Sequence, residues 1–298
     1  MEFLKIVKRR SFLSEVVYIT LNVALAIGLM LIVRTTNSLL PAFGLVLLSR
    51  WRVLAVRPRY WFANIQGDLV SLIVSVSFVV FLYSFNIADI GDFSRFISQG
   101  LLVALYILWL IYLKPKSKRR YVALQAGTAL FTGVTAIFTM GYGWDSSLII
   151  LTIWLVGYAT ARHVLNTYDE ETHVLQLSLV WGLVLAEIGW LAYHWTIAYR
   201  IPIMGQLLLP QVSIIMLSLG FLAYKAYNLY FHFQKIRLGD IFLPLTFVVN
   251  IFIVLIFWFN SPLNTDIAIV SLLVTIAIVG AVEGVIYFLL RQKFFSKR

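Results

Sequence analysis

The stretch "LVWGLVLAEIGWLAYHW" (179–195) decides the fold class of this chain. It is apolar enough to belong to a helix that crosses a lipid bilayer, which takes about 20 residues. Nevertheless it contains a carboxylate, Glu187, and an imidazole, His194. Polar groups inside lipid are costly, so each needs a partner or a function. The stretch therefore predicts a membrane-spanning helix and also raises the question of what the helix does.

The composition extends this interpretation to all 298 residues. Apolar residues make up 61% of the sequence and charged residues 12%, whereas soluble domains carry about 25% charged residues. Such a chain cannot cover its surface with polar groups, so we expect lipid as its solvent. Cysteine is absent, which excludes disulfides and thiolate metal sites. The sequence predicts an all-α, polytopic transmembrane helix bundle without a soluble domain.

Apolar stretches predict about ten transmembrane spans in a single domain, residues 1–298. The spans are 15–33, 37–56, 68–86, 96–113, 121–140, 146–166, 172–195, 203–224, 241–259 and 266–290. The second is the weakest, because Arg50 and Arg52 fall in its last turns, and a hairpin that does not fully cross is the alternative. Ten spans are compatible with two inverted halves, 1–143 and 144–298, as in many transporters. No paired motifs support such a repeat.

The distribution of Lys and Arg predicts that both termini are cytoplasmic. With the N-terminus inside, only Arg34, Arg95 and Arg200 fall in outer segments, and the other 21 of the 24 basic residues fall in inner ones. This asymmetry follows the positive-inside rule. The net charge of +11 is thus a topology signal that attracts anionic lipid headgroups at the inner face. We expect no nucleic-acid partner.

Helix seven carries the leading candidate for a substrate- or proton-binding site. At 100° per residue, Gln176, Glu187 and His194 lie within about 20° of one another, and Trp190 flanks the same face. We predict that this stripe faces the bundle interior, with Glu187 titrating and His194 at the outer mouth. In the structural alternative, Glu187 is neutral and donates a hydrogen bond to the next helix. A strip of small residues on helix seven predicts the close approach of another helix: Gly182, Ala186 and Gly189.

The start of helix eight would complete this site. Pro210 lies inside the predicted span, where a proline removes a backbone N–H and disrupts the helix. Interrupted helices line binding sites in many transporters, and Gln206 and Gln211 flank the proline. A plain kink satisfied by a neighbouring helix is the structural alternative. Because a short outer loop joins helices seven and eight, we expect their outer halves to share one cavity.

Two further groups of polar residues are secondary candidates. Glu283 in helix ten could pair with Lys225 or Arg162, which is the ordinary fate of an intramembrane acid. His163, Asp169 and His173 combine imidazole and carboxylate groups, which can bind a divalent cation. Acids at the start of a helix explain this loop better, because they suit its dipole. We therefore predict no metal site and no cofactor.

These residues favour a secondary transporter of a small solute or a lipid-linked molecule, in the cell inner membrane. The sequence has no Gly-rich phosphate loop, so direct ATP hydrolysis is not expected. Two alternatives stay open. One is a membrane-embedded enzyme that processes lipid, and the other is a structural subunit of a larger membrane complex. The expected partners are membrane lipids and a small-molecule substrate, and in the last case other membrane subunits.

Overall fold

The computed structural model describes residues 2–55, 57–169, 171–195, 198–200, 208–235 and 238–260, and nearly all of them are helical. The chain divides into two compact units, Met1–Ser213 and Ile214–Arg298. The organisation predicted from the sequence, one transmembrane domain that could hold inverted halves, stays a prediction.

The described part contains ten α-helices and one pair of short strands. The helices are α1 (Glu2–Thr36), α2 (Leu39–Leu48), α3 (Trp51–Leu54), α4 (Trp61–Ile87), α5 (Asp92–Leu108), α6 (Arg119–Met140), α7 (Ser146–Leu165), α8 (Val174–His194), α9 (Gln211–Phe233) and α10 (Leu238–Asn260). A π-helical turn, Trp109–Leu113, extends α5, and 3-10 turns at Pro58–Tyr60 and Gly141–Gly143 precede α4 and α7. The strands β1 (Ala198–Arg200) and β2 (Leu208–Pro210) pair in antiparallel register.

Seven helical segments of the described part are long and apolar enough to cross a membrane. They are Ser14–Thr36, Pro58–Ile87, Asp92–Leu113, Arg119–Met140, Ser146–Leu165, Val174–His194 and Gln211–Phe233. They overlap the first and the third to eighth spans of the sequence prediction, and α10 overlaps the ninth. The tenth, 266–290, lies outside the described residues. A bundle of this kind is compatible with a multi-pass membrane protein, while the count of ten and the orientation of the termini stay predictions.

The second predicted span is a broken segment. Its helix, α2, has ten residues, which is about 15 Å of helix, and the chain then turns at Arg50 before the four-residue α3. Asn86, near the end of α4, donates to Asn37 Oδ1 at 2.9 Å. Because the segment starts beside the end of α4 and leads into the start of α4, it runs back along that helix. A continuous helix over 37–56 is therefore wrong, and the break falls where Arg50 leaves the helix for polar groups on α4.

Helix α4 is the centre of the first unit. It contacts α1, α2, α3, α5, α6 and α7. The apolar core around it draws fully buried side chains from four helices: Leu29, Val46, Val79 and Leu110. A helix surrounded in this way has to satisfy any polar group it carries within the protein.

Helices α7 and α8 pack against each other through glycine. A Cβ atom added to Gly157 would lie 3.0 Å from the Cα of Gly182, and one added to Gly182 would lie 2.9 Å from the carbonyl oxygen of Trp154. Small residues allow two helix backbones to approach this closely. The predicted small-residue strip of helix seven is confirmed, because Gly182, Ala186 and Gly189 are all buried.

Candidate functional site

The predicted polar stripe lies on one face of α8. Gln176, Glu187, Trp190 and His194 are all exposed, while Gly182 on the opposite face is buried against α7. Within the first unit the stripe therefore lies on the face of α8 that does not pack against α7, and the expectation that it faces the bundle interior stays a prediction. The packing of the other face has a steric reason, since only a glycine-lined face allows the backbone contact that α7 and α8 make. The binding role of the stripe stays a prediction.

The two ends of this stripe belong to different clusters. Near the start of α8, Gln176 Oε1 lies 3.0 Å from His173 Nδ1. Near its end, the His194 ring makes edge-to-face contacts with Trp190 and Tyr193, with centroids 5.0 and 5.4 Å apart. The eighteen residues from Gln176 to His194 span about 27 Å of helix. The stripe thus carries separate local contacts rather than one assembled site.

Pro210 does not interrupt a helix, contrary to the sequence prediction. It is the buried last residue of β2, opposite Ala198 of β1, and α9 begins directly after it at Gln211. Strand pairing takes the residues before Pro210 out of the predicted helix, so the proline precedes α9. Gln206 lies outside the described residues. The proposed roles of these residues in binding stay predictions.

The secondary acid and its expected partner are not tested by the described part. Glu283 lies outside the described residues. Lys225 is exposed on α9, with its Nζ 5.6 Å from the centroid of the Phe221 ring. A cation–π contact of this kind attracts the ammonium group to the ring. The pairing of Lys225 with Glu283 stays a prediction.

The weak metal candidates lie in separate places. His163 Nε2 lies 2.8 Å from Gln125 Oε1, and His173 is paired with Gln176 as described above, while Asp169 is exposed. Within the part of the chain that the structure describes, no group of three or more His, Asp or Glu side chains could hold a metal ion.

A buried charged centre lies in the first unit, where the sequence analysis had singled out no site. Arg50 forms an ion pair with Asp68, and the two side chains are only 11% and 25% exposed. Arg50 Nη2 also donates to the Ser71 carbonyl oxygen at 2.7 Å, to Ser71 Oγ at 3.1 Å and to Ser75 Oγ at 2.7 Å. Tyr106 of α5 donates to Ser75 Oγ at 2.8 Å. We call these five residues the Arg50 centre.

The helical spacing of α4 and its pairing with α5 assemble the Arg50 centre. Asp68, Ser71 and Ser75 are three and four residues apart, so they share one face of α4. The neighbouring α5 runs antiparallel, because Gln99 donates to the Leu82 carbonyl at 3.2 Å and Tyr106 reaches Ser75. The same register places Ser71 opposite residue 110 and Asp68 opposite residue 113. The centre therefore sits between the break after α2, the first half of α4 and the end of α5.

The electrostatic balance of the Arg50 centre is positive. Lys114 directly follows the π-helical turn of α5. Although its side chain reaches the surface, partial burial lowers the pKa of its ammonium, the charge of Arg50 lowers it further and Asp68 opposes both. Lys114 is thus a second cation in the neighbourhood, while Arg50 forms the ion pair with Asp68. Asp68 lies seven residues into α4, about 10 Å along the helix, and π-helical turns often mark functional sites.

A second polar cluster lies between α4 and α7 in the same half of the unit. Arg162 Nη1 donates to the Tyr158 hydroxyl at 2.6 Å, and Gln66 Nε2 approaches the same hydroxyl at 3.3 Å. Gln66 is two residues before Asp68, so it lies on the other side of α4. This group holds α4 to α7 and does not join the Arg50 centre.

One signal in the sequence could have indicated the Arg50 centre. Arg50 lies at the end of an apolar stretch, and eighteen residues later Asp68, Ser71 and Ser75 recur at helical spacing at the start of the next one. The positive-inside rule explains Arg50 as a topology signal that needs no partner, so the sequence alone does not indicate its ion pair with Asp68.

No protein-family model, no curated protein and no solved structure matches this chain. The architecture by itself defines the class: a bundle of several long apolar helices, compatible with a multi-pass membrane protein.

Proposed function

We propose that this protein is a secondary transporter of a small solute or a lipid-linked molecule, embedded in the membrane with both termini cytoplasmic. The observation that carries the proposal is the Arg50 centre. Charged groups at membrane depth are costly and mark substrate or ion pathways. A buried ion pair also contributes little net stability, since apolar side chains of similar volume often stabilise a protein as well or better. The pair therefore favours a functional role.

The broken segment beside α4 supports the same conclusion. Transporter sites are typically built where a helix is interrupted inside the bundle, so that backbone and side-chain polar groups meet there. Irregular backbone is tolerated at membrane depth only where protein or a water-filled cavity surrounds it. In this chain α2 stops after ten residues and the following turn presents Arg50 to α4. The interruption thus coincides with the charged centre.

Within this proposal, the sequence-based site in the outer halves of helices seven and eight is a second location. There Glu187 would carry the proton or the substrate. An exposed carboxylate on an apolar helix cannot remain charged against lipid without a large cost. The role of Glu187 can be tested separately from that of Arg50.

The experiment is uptake by the full chain reconstituted in proteoliposomes. The probes are radiolabelled acetate, inorganic phosphate and glycerol 3-phosphate, with and without a pH gradient. We expect accumulation of at least one probe above empty liposomes, and a loss of about tenfold or more in Arg50→Lys, which keeps the charge but loses the planar fork. Arg59→Lys is the matched control, because Arg59 is an exposed arginine in the 3-10 turn before α4.

Each alternative function has its own outcome in this assay. If Glu187→Gln removes the response to the pH gradient, Glu187 takes part in coupling; unchanged coupling rules that role out. If none of the probes, nor a short-chain lipid phosphate, enters the wild-type proteoliposomes faster than empty ones, the transporter proposal fails. Co-purification of stoichiometric membrane partners together with no uptake would favour the structural subunit.

A further inference from the structure

The Arg50 centre and the π-helical turn that follows α5 contain buried hydrogen-bond donors that are not used. Within the described part of the chain, Arg50 Nε and Trp109 Nε1 of the π-helical turn are both buried without a hydrogen-bond partner. Ser71 Oγ accepts from Arg50 Nη2, which leaves the hydroxyl hydrogen free to donate. Buried polar groups in folded proteins nearly always have partners, so unused donors require an explanation.

These donors lie on segments that meet at one place. Arg50 follows α2 and contacts α4 through Ser71. Trp109 is one turn beyond Tyr106, on the same side of α5, and the antiparallel register that pairs Tyr106 with Ser75 sets Ser71 opposite residue 110, which adjoins Trp109 in the chain. Trp109 also belongs to the buried cluster that includes Val46 of α2 and Val70 of α4. The guanidinium, the hydroxyl and the indole thus belong to three segments that pack together.

The chemistry of these groups selects the charge of a ligand. All three unused groups are donors, and Arg50 and Lys114 together outnumber the single carboxylate of Asp68. Asp68 occupies Nη1 and the two serines accept from Nη2, so Nε is the donor of the guanidinium that stays unused. A charge-assisted donor of this kind binds carboxylate or phosphate oxygen strongly. An anion can therefore bind at Nε while Asp68 and both serines remain paired.

We propose that the Arg50 centre binds an oxyanion, a carboxylate or phosphate group, through Arg50 Nε, the Ser71 hydroxyl and the Trp109 indole N–H. As a statement about the transported substrate, this rests on the proposed transporter function. The same group could belong to a free solute or to a lipid headgroup, because both present the same oxygens. The site lies about 10 Å along α4 from its first residue, within reach of either source.

The experiment measures binding to the purified full chain in a maltoside detergent, without any transport step. Isothermal titration and thermal unfolding are followed with inorganic phosphate and with acetate, at constant ionic strength set by chloride. A parallel arm uses dihexanoyl phosphatidic acid, with dihexanoyl phosphatidylcholine for comparison. We expect saturable binding and a rise in Tm. A response to the free anions identifies a soluble ligand, and a response to phosphatidic acid alone identifies a headgroup; either supports the oxyanion site.

Two mild variants test the residues. Trp109→Phe keeps an aromatic ring and removes only the N–H, and Ser71→Ala removes only the hydroxyl. Each is expected to weaken binding about tenfold, the effect of losing one hydrogen bond to a charged group. Trp144→Phe is the matched control, because Trp144 is 44% exposed in the turn before α7. Saturable binding that both variants retain unchanged would overturn the proposal, as would the absence of binding by phosphate, acetate and phosphatidic acid.

The outcome is separate from that of the uptake assay. Binding that depends on Ser71 and Trp109 together with no uptake would leave the oxyanion site standing and remove the transporter. Uptake that depends on Arg50, together with binding that Ser71→Ala and Trp109→Phe leave unchanged, would support the transporter and overturn the oxyanion site.

Discussion

At the scale of the residue, Arg50 and Asp68 show how a charged pair is accommodated in an apolar bundle. Arg50 reaches Asp68, two serine hydroxyls and a backbone carbonyl. These contacts replace the hydration that both charges lose. Removing one member of a buried pair leaves the other uncompensated, whereas removing both together avoids that cost.

The first prediction concerns this coupling. Asp68→Leu is expected to lower the free energy of unfolding by about 3–5 kcal/mol, because a buried guanidinium loses its counter-ion. The double variant Arg50→Met, Asp68→Leu is expected to recover most of that loss. Denaturant unfolding in detergent measures both.

The ion pair between Arg95 and Asp92 serves as the control. Its carboxylate side chain is 92% exposed, so Asp92→Asn is expected to change stability by less than about 1 kcal/mol. The single variant Arg50→Met completes the comparison. If the stability lost in the double variant equals the sum of the losses in Asp68→Leu and Arg50→Met, the pair is not energetically coupled.

At the scale of the element, the interface of α7 and α8 determines which face of α8 is buried. Polar and aromatic side chains lie on one face and glycines on the other. Gly182 brings its backbone against the backbone of α7, an approach that no larger residue allows. The glycine face is therefore the one that packs, and the polar face is left exposed.

The corresponding prediction is that Gly182→Ala destabilises the protein by about 1–3 kcal/mol, the range expected for overpacking. Its Cβ would meet a backbone oxygen of Trp154 at 2.9 Å, and backbone cannot move aside as a side chain can. Gly100→Ala in α5 is the control, because nothing lies within 4 Å of the added atom. It is expected to be neutral or to stabilise by up to about 1 kcal/mol through helix propensity. Equal effects of the two substitutions would contradict the role of the glycine contact.

At the scale of the whole molecule, the distribution of basic residues predicts the orientation in the membrane. The loop between α5 and α6 is dense in Lys and Arg, and the turn between α6 and α7 has none. The first is therefore predicted to be cytoplasmic and the second to lie outside.

Cysteine labelling tests this orientation directly. The chain has no cysteine, so a single introduced thiol has no background. Ser147→Cys, at the exposed start of α7, is expected to react with a membrane-impermeant maleimide in intact cells. Ser117→Cys, exposed in the loop before α6, is expected to react only after permeabilisation. The opposite pattern would invert the predicted topology.

Some features of this protein followed from the sequence alone. The long helices did, because 61% of the residues are apolar and fall in stretches long enough to form spanning helices. Helical periodicity also placed Gln176, Glu187 and His194 on one face of α8 without any knowledge of its neighbours.

Tertiary structure decided the rest. Periodicity groups residues into faces but does not say which face meets another helix; that depended on the glycine contact with Trp154. Pro210 became the end of a strand because residues 198–200 pair with its segment. Arg50 and Asp68 lie on different elements, and only the break after α2 and the packing of α4 bring their charges together.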